Sequence, residues 1–316
     1  MKPSSQEWQS PLFDNSLFRF IWRVSGAHQV GVAIISVVLF AIGAVPLELQ
    51  RRIVNTATDG GPFRTILVLA CLYAGLSLLE GLIKLGLNIY RNWIGESAIR
   101  WLRLTVFEMA AQPQTKTPDV SEGVQLSIVI AEAESIGGFV GDSFSQPLLQ
   151  IGILTTVTSY LIFLQPLMAL VIALVFLPQV AFVPILQNAI NRRVGEKTSI
   201  MRQVSVSIVE VGGVFDADGT QRSRIQTVFE INMGIYKIKF SMNFVMNLMT
   251  QMGYIGILAV GGYFVVTKKT EIGTVIAFLS GLGKINDPWG ELVDWYRNLR
   301  VTQVKYDLVK SVMQST

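Results

Sequence analysis

Charge is what this sequence has least of. Only 15% of its 316 residues are Asp, Glu, Lys or Arg, against 51% hydrophobic residues and a mean hydropathy of +0.47. A soluble helical protein of this size shows a charged outer face every turn or two, and that composition cannot supply one. The charges are also segregated along the chain. From Ser143 to Asn191 there are 49 consecutive residues without Asp, Glu, Lys or Arg, and from Phe240 to Thr267 there are 28 more. Cysteine and histidine are almost missing as well. The single Cys71 excludes internal disulfides and reads as a small packing residue in an apolar run, while His28 alone cannot build a metal site. No metal ligand set is therefore assigned to this chain, and no catalytic residue is expected in it.

What is present is length in the apolar segments. A helix rising about 1.5 Å per residue needs about 20 apolar residues to cross a hydrocarbon core of about 30 Å. That ruler predicts an all-α polytopic membrane protein with six spans: Val30–Leu49, Ile66–Leu87, Pro147–Phe163, Leu167–Ile185, Phe244–Val266 and Gly273–Trp289. Gln165 and Pro166 split the 49-residue run into two spans. The first apolar segment is too long for a signal peptide and lacks a small-residue cleavage site, so it is expected to remain as a span.

The connections alternate in length. Of the 26 Lys and Arg residues, only Arg51, Arg52, Arg64, Lys268 and Lys269 fall in the short loops. The positive-inside bias thus places both termini and the two long loops in the cytoplasm of a cell with this chain in its inner or plasma membrane. Those long loops keep helical periodicity. They are expected to be cytoplasmic helical extensions, each a hairpin reaching ~30 to 40 Å from the membrane, with turns at Gln112 to Glu122 and Gly212 to Gly219. Leu17, Phe18, Phe20 and Ile21 alternate with Arg19 and Arg23, as in an amphipathic elbow helix lying along the inner leaflet. The expected organisation is an N-terminal segment and elbow over 1–27, a six-helix domain with two intracellular hairpins over 28–300, and a cytoplasmic tail over 301–316.

Several polar residues interrupt the spans. Asn243, Asn247, Thr250, Gln251 and Tyr254 fall on one stripe of the fifth span, flanked by methionines and glycines, opposite an apolar face of Phe244, Leu248 and Ile255. A water-filled cavity for varied ligands would want such a stripe, and helix packing through small and amide residues would also produce one. Ionisable residues within spans are costly and mark candidate sites. Lys284 has Asp287 three residues on, and Glu80 has Lys84 four residues on, both spacings that pair on one helix. Lys284 and Asp287, with Glu80, would polarise a central cavity and select a charged or zwitterionic substrate; two self-neutralised pairs near the interface remain the alternative. Pro178 and Pro184 interrupt the fourth span and permit kinks.

An elbow, six spans, two equal intracellular hairpins and tiny outer turns together resemble the exporter-type membrane domain of ABC transporters, over about Leu17 to Met313. Thr270-Glu271-Ile272-Gly273-Thr274-Val275-Ile276-Ala277-Phe278 is similar to the start of that family's sixth span, and Asp287-Pro288-Trp289 with Trp295-Tyr296 to its inner end. Phe107 to Pro113 and Ile136 to Phe144 resemble the flanks of the first intracellular turn, and Val211 to Gly219 the second. The resemblance implies coupling helices at Thr115 to Glu122 and Gly213 to Asp218, with Thr117, Pro118, Asp119, Val214, Phe215 and Asp216 docking on a nucleotide-binding partner. Val214 and Phe215 would be costly to expose without one.

The sequence departs from many family members in that no nucleotide-binding domain follows the sixth span before Thr316. Gly283-Lys284 has Phe278 where a P-loop needs its first Gly and Ile285 where it needs a hydroxyl, so it is read as a coincidence. Leu279-Ser280-Gly281 imitates the start of the family's signature loop but lies in an apolar helix, and is read the same way. The resemblance then implies no cofactor in this chain, with ATP and magnesium on a separate ATPase subunit, and a second transmembrane half, a homodimer being the simplest. No nucleic-acid partner is expected. The membrane fold is also similar to that of proton-driven peptide-uptake permeases, for which Glu80 and Asp287 would be the discriminating carboxylates. A non-transporting membrane scaffold is a third possibility.

Overall fold

The computed structural model describes residues 16–110, 132–210 and 219–315, and among them every regular element is a helix. These are α1 (Leu17–Ile42), α2 (Val45–Thr58), α3 (Phe63–Ala110), α4 (132–142), α5 (Ser145–Leu164), α6 (Pro166–Glu210), α7 (Thr220–Val266) and α8 (Ile272–Ser315). They fall into two compact units, Met1–Leu161 with Ile272–Thr316, and Ile162–Glu271. Among the described residues, five stretches are long and apolar enough to cross a membrane: Leu17–Thr58, Phe63–Thr105, Glu132–Leu164, Pro166–Met201 and Thr220–Val266. They suggest an integral membrane protein. The expected sixth span, Gly273–Trp289, is helical within α8 but less apolar, because Lys284, Asn286 and Asp287 share its window. Its first half is also closely surrounded, with Thr274, Val275, Ala277, Phe278, Leu282 and Ile285 buried. A helix that faces other helices needs less apolar surface than one that faces lipid.

In the first unit the expected first span is not one helix. It breaks at Gly43-Ala44, immediately before Val45-Pro46, with Pro46 in the first turn of α2. Proline has no N–H to return to the carbonyl of Ile42, so the ladder must restart. Leu47 and Glu48 donate instead to the carbonyl of Ala44, at 3.1 and 3.4 Å. A second discontinuity at Ser25 (φ −139°, ψ 15°) separates the elbow from the membrane part of α1. Ser25 Oγ donates to the Ile21 carbonyl at 3.0 Å, and Gln29 Nε2 donates to Ser25 Oγ at 3.0 Å and to the Val140 carbonyl at 2.8 Å. A polar side chain inserted into the ladder in this way is a recognised cause of kinks.

The kink turns one face of the elbow onto the protein. Leu17, Phe20 and Ile21 are buried in one core with Leu102 of α3, Ile136 of α4, and Tyr306 and Val309 of α8. Phe20 meets Tyr306 at 5.3 Å between ring centroids. The core forms because α3 and α4 cross almost backbone to backbone. A Cβ on Gly141 would collide with the carbonyl of Arg91, and one on Gly137 with the backbone of Ile99. Only glycine fits at both places. Cys71, expected to pack, is instead exposed on the apolar face of α3.

The second unit is an antiparallel pair, α6 and α7. Val171 of α6 lies against Gly256 of α7, and 22 residues further along α6, Arg193 lies against Gly234, 22 residues back along α7. The two helices thus hold one register over that whole length. Pro178 and Pro184 are accommodated without ending α6. The α7 face that is buried, Met242, Thr250, Gly253, Ile257, Gly261 and Phe264, repeats every three or four residues after a single gap of eight, as a helix stripe must.

Candidate functional site

Two groups of polar residues on the long helices are candidates, one in each unit. The first is built where α1 and α2 separate. The break leaves the carbonyl of Gly43 without its helical partner, and in an apolar surrounding such a group needs a donor. Lys284 of α8 supplies it, with Nζ at 2.9 Å from the Gly43 oxygen. The same ammonium stands 3.7 Å from Oε2 of Glu80 on α3, and both side chains are about one-third exposed, 32% and 29%. One cation therefore ties together the α1–α2 break, α3 and α8.

This geometry corrects the pairing expected from sequence. Lys284 is held across helices by Glu80 and Gly43, not by Asp287 along its own helix, and Glu80 faces Lys284, not Lys84. Asp287 and Lys84 are both exposed. The reason is energetic: a pair spaced by three or four residues on one helix contributes only about 0.2–0.5 kcal/mol, whereas an unsatisfied carbonyl away from water costs about 1–3 kcal/mol.

The second candidate is the amide stripe of α7. Asn243, Asn247 and Gln251 are exposed, Tyr254 is half-buried, and Thr250 is buried with its hydroxyl donating to the Met246 carbonyl at 3.0 Å. The glycines beside them, Gly253, Gly256 and Gly261, sit on or next to the packed face. Packing is therefore carried by the small residues, and the amides remain open. Thr117, Pro118, Asp119, Val214, Phe215 and Asp216 lie outside the described residues.

Two further clusters escaped the sequence reading. At one end of the first unit, Glu48 of α2 accepts from Arg51 Nε at 2.9 Å, Arg52 Nε at 2.6 Å and the Tyr160 hydroxyl of α5 at 2.8 Å. The Glu48-x-x-Arg51-Arg52 spacing was the available signal, hidden because the arginines read as loop residues. Beside it, Asn55 Oδ1 accepts from the N–H of Gly273 at 2.8 Å, capping the start of α8, and a Cβ on Gly273 would strike Asn55 and the carbonyl of Arg51. At the other end, buried Arg91 donates through Nε to Asp142 Oδ1 at 2.8 Å and also to Gln146, whose amide donates to Glu291 at 2.7 Å. Residues 51 positions apart leave no local sequence pattern.

His28 and Tyr90 share a 2.8 Å hydrogen bond, and among the described residues no group of His, Cys, Asp and Glu could hold a metal ion. No protein-family model matches the chain, and no curated protein matches its sequence.

Proposed function

We propose that this chain is the membrane-spanning subunit of an ABC-type transporter, moving a substrate by alternating access powered by ATP hydrolysis on a separate nucleotide-binding partner. Two copies would line a central path, with ATP and magnesium bound by the partner and both termini on the cytoplasmic side. The observation that carries this reading is the length and constant register of α6 and α7. At 45 and 47 residues they rise about 70 Å, more than twice a hydrocarbon core of about 30 Å. A pair of helices packed in one register over more than 20 residues, from Val171 and Gly256 to Arg193 and Gly234, can carry a displacement along its length as a rigid body, which an ATP-driven switch requires. In sequence, residues 211–218, with Val214, Phe215 and Asp216, lie between these two helices.

The Glu80–Lys284 pair and the α7 amides would then each be candidates for contact with the substrate. A membrane-depth carboxylate also suits the second reading, a proton-driven permease, because protonating Glu80 would release Lys284. Pull-down of the tagged chain from its native membrane separates the two. An ATPase subunit that co-purifies, and is lost on Phe215→Asp, supports the first. Transport that survives ATP depletion and collapses with a protonophore refutes it.

A further inference from the structure

In the first unit Arg91, Arg103, Arg297 and Lys305 are ion-paired with Asp142, Glu134, Asp294 and Glu132. In the second, Arg192 and Arg193 on α6 and Lys237 and Lys239 on α7 outnumber the carboxylates nearest to them in sequence, Glu196 and Glu230. Arg192, Lys237 and Lys239 are exposed, and Arg193 is half-buried where it crosses Gly234. The shared register of α6 and α7 brings all four to one level. Counted from Ile185 and Phe244, where the apolar runs end, they lie about 7–12 Å beyond the apolar edge at the helical rise. The polar headgroup layer occupies about the first 5–7 Å of that distance, and Lys and Arg side chains extend back toward it. Exposed Tyr236 and Phe240, stacked with centroids 6.1 Å apart, sit at the same level, where aromatic residues anchor helices in the interface.

We propose that Arg192, Arg193, Lys237 and Lys239 form a collar around the α6–α7 pair that binds the phosphate headgroups of anionic phospholipids. The collar is independent of what the protein transports and requires only that α6 and α7 cross a bilayer. Four cations at one depth outnumber the carboxylates nearest to them and repel one another, and a negatively charged leaflet removes that repulsion while holding the pair at a fixed height. Zwitterionic lipids offer phosphate but no net charge, so the collar should discriminate between the two.

The test is native mass spectrometry of the full chain with equal amounts of phosphatidylglycerol and phosphatidylcholine. Preferential, salt-sensitive retention of phosphatidylglycerol is expected, falling by about fivefold for each cation removed in Lys237→Gln/Lys239→Gln. Arg222→Gln/Arg224→Gln removes the same charge near the far end of α7 and should leave retention unchanged, and Arg192→Lys/Arg193→Lys should keep it. Equal retention of the two lipids by the unaltered chain would overturn the proposal. So would the same loss in both glutamine pairs, or displacement of phosphatidylglycerol by millimolar inorganic phosphate, which would make the collar a general anion site.

Discussion

Replacing Lys284 by Met keeps the length of the side chain and removes its charge, so the effect reads the interactions of Nζ and little else. Two partners are left behind: the Gly43 carbonyl at 2.9 Å and the Glu80 carboxylate at 3.7 Å. An unmade bond to the carbonyl costs about 1–3 kcal/mol. Breaking a fully buried ion pair costs about 3–5 kcal/mol, but both side chains here are about one-third exposed, and the long contact lowers the cost further, to about 1 kcal/mol. Lys284→Met should therefore lose about 2–3 kcal/mol, and Glu80→Gln, which keeps an acceptor near the ammonium, less than about 1 kcal/mol. Adding Glu80→Gln to Lys284→Met removes the stranded carboxylate, so the double variant should be more stable than Lys284→Met alone. The apparent melting temperature of the purified protein, followed by intrinsic fluorescence in one detergent, reads all four corners of this double-mutant cycle. At about 2–4 °C per kcal/mol, Lys284→Met should melt several degrees lower, with part of the loss restored in the double variant. Strictly additive losses would refute the coupling, and an unchanged melting temperature in Lys284→Met would refute the site.

Other positions give sharper steric and hydrogen-bond tests. Gly141→Ala forces a methyl into the carbonyl of Arg91 and should cost about 3 kcal/mol through separation of α3 and α4, while Gly138→Ala, with open space around it, should be neutral or stabilise by up to about 1 kcal/mol; equal effects in thermal melts would contradict the crossing. Asn55→Ala removes the acceptor of the Gly273 N–H and should cost about 1 kcal/mol, as loss of a helix cap does, seen as a lower melting temperature with helicity by circular dichroism unchanged. Arg91→Met leaves half-exposed Asp142 and the Gln146 carbonyl without their donor and should cost about 2 kcal/mol; stability equal to that of Asn55→Ala would show that the network is not coupled.

The helical architecture was largely legible because it follows from solvent. Uncharged runs are long, and the Gln165-Pro166 breaker falls where α5 ends at Leu164 and α6 begins at Pro166. Pro46 was an equally clear signal for the break before α2, but it lies inside an apolar run and was absorbed into the first span. The candidate residues were legible as types and not as partners. Polar side chains at membrane depth announce themselves, so Lys284, Glu80 and the α7 amides could be named. Their geometry depends on a carbonyl freed elsewhere, at Gly43, and backbone groups carry no sequence signature. The packing of the elbow was hidden for a related reason. Its amphipathic face fits a lipid surface or a protein core equally well, and only the kink at Ser25 directs Phe20 and Ile21 toward Tyr306. The glycines at 137, 141 and 273 that allow the closest backbone approaches lie within stretches that carry the family resemblance, so part of that resemblance is a packing requirement.

The most direct test is side-specific cysteine accessibility in intact cells, with Cys71 replaced by Ser and single cysteines at Ser16, Gly60, Thr117, Phe215, Lys269 and Ser315. Six crossings require that an impermeant reagent label positions 60 and 269 from outside and reach 16, 117, 215 and 315 only after the membrane is opened. Labelling of 117 or 215 from outside, or termini on opposite sides, would contradict the membrane topology and the transporter reading built on it.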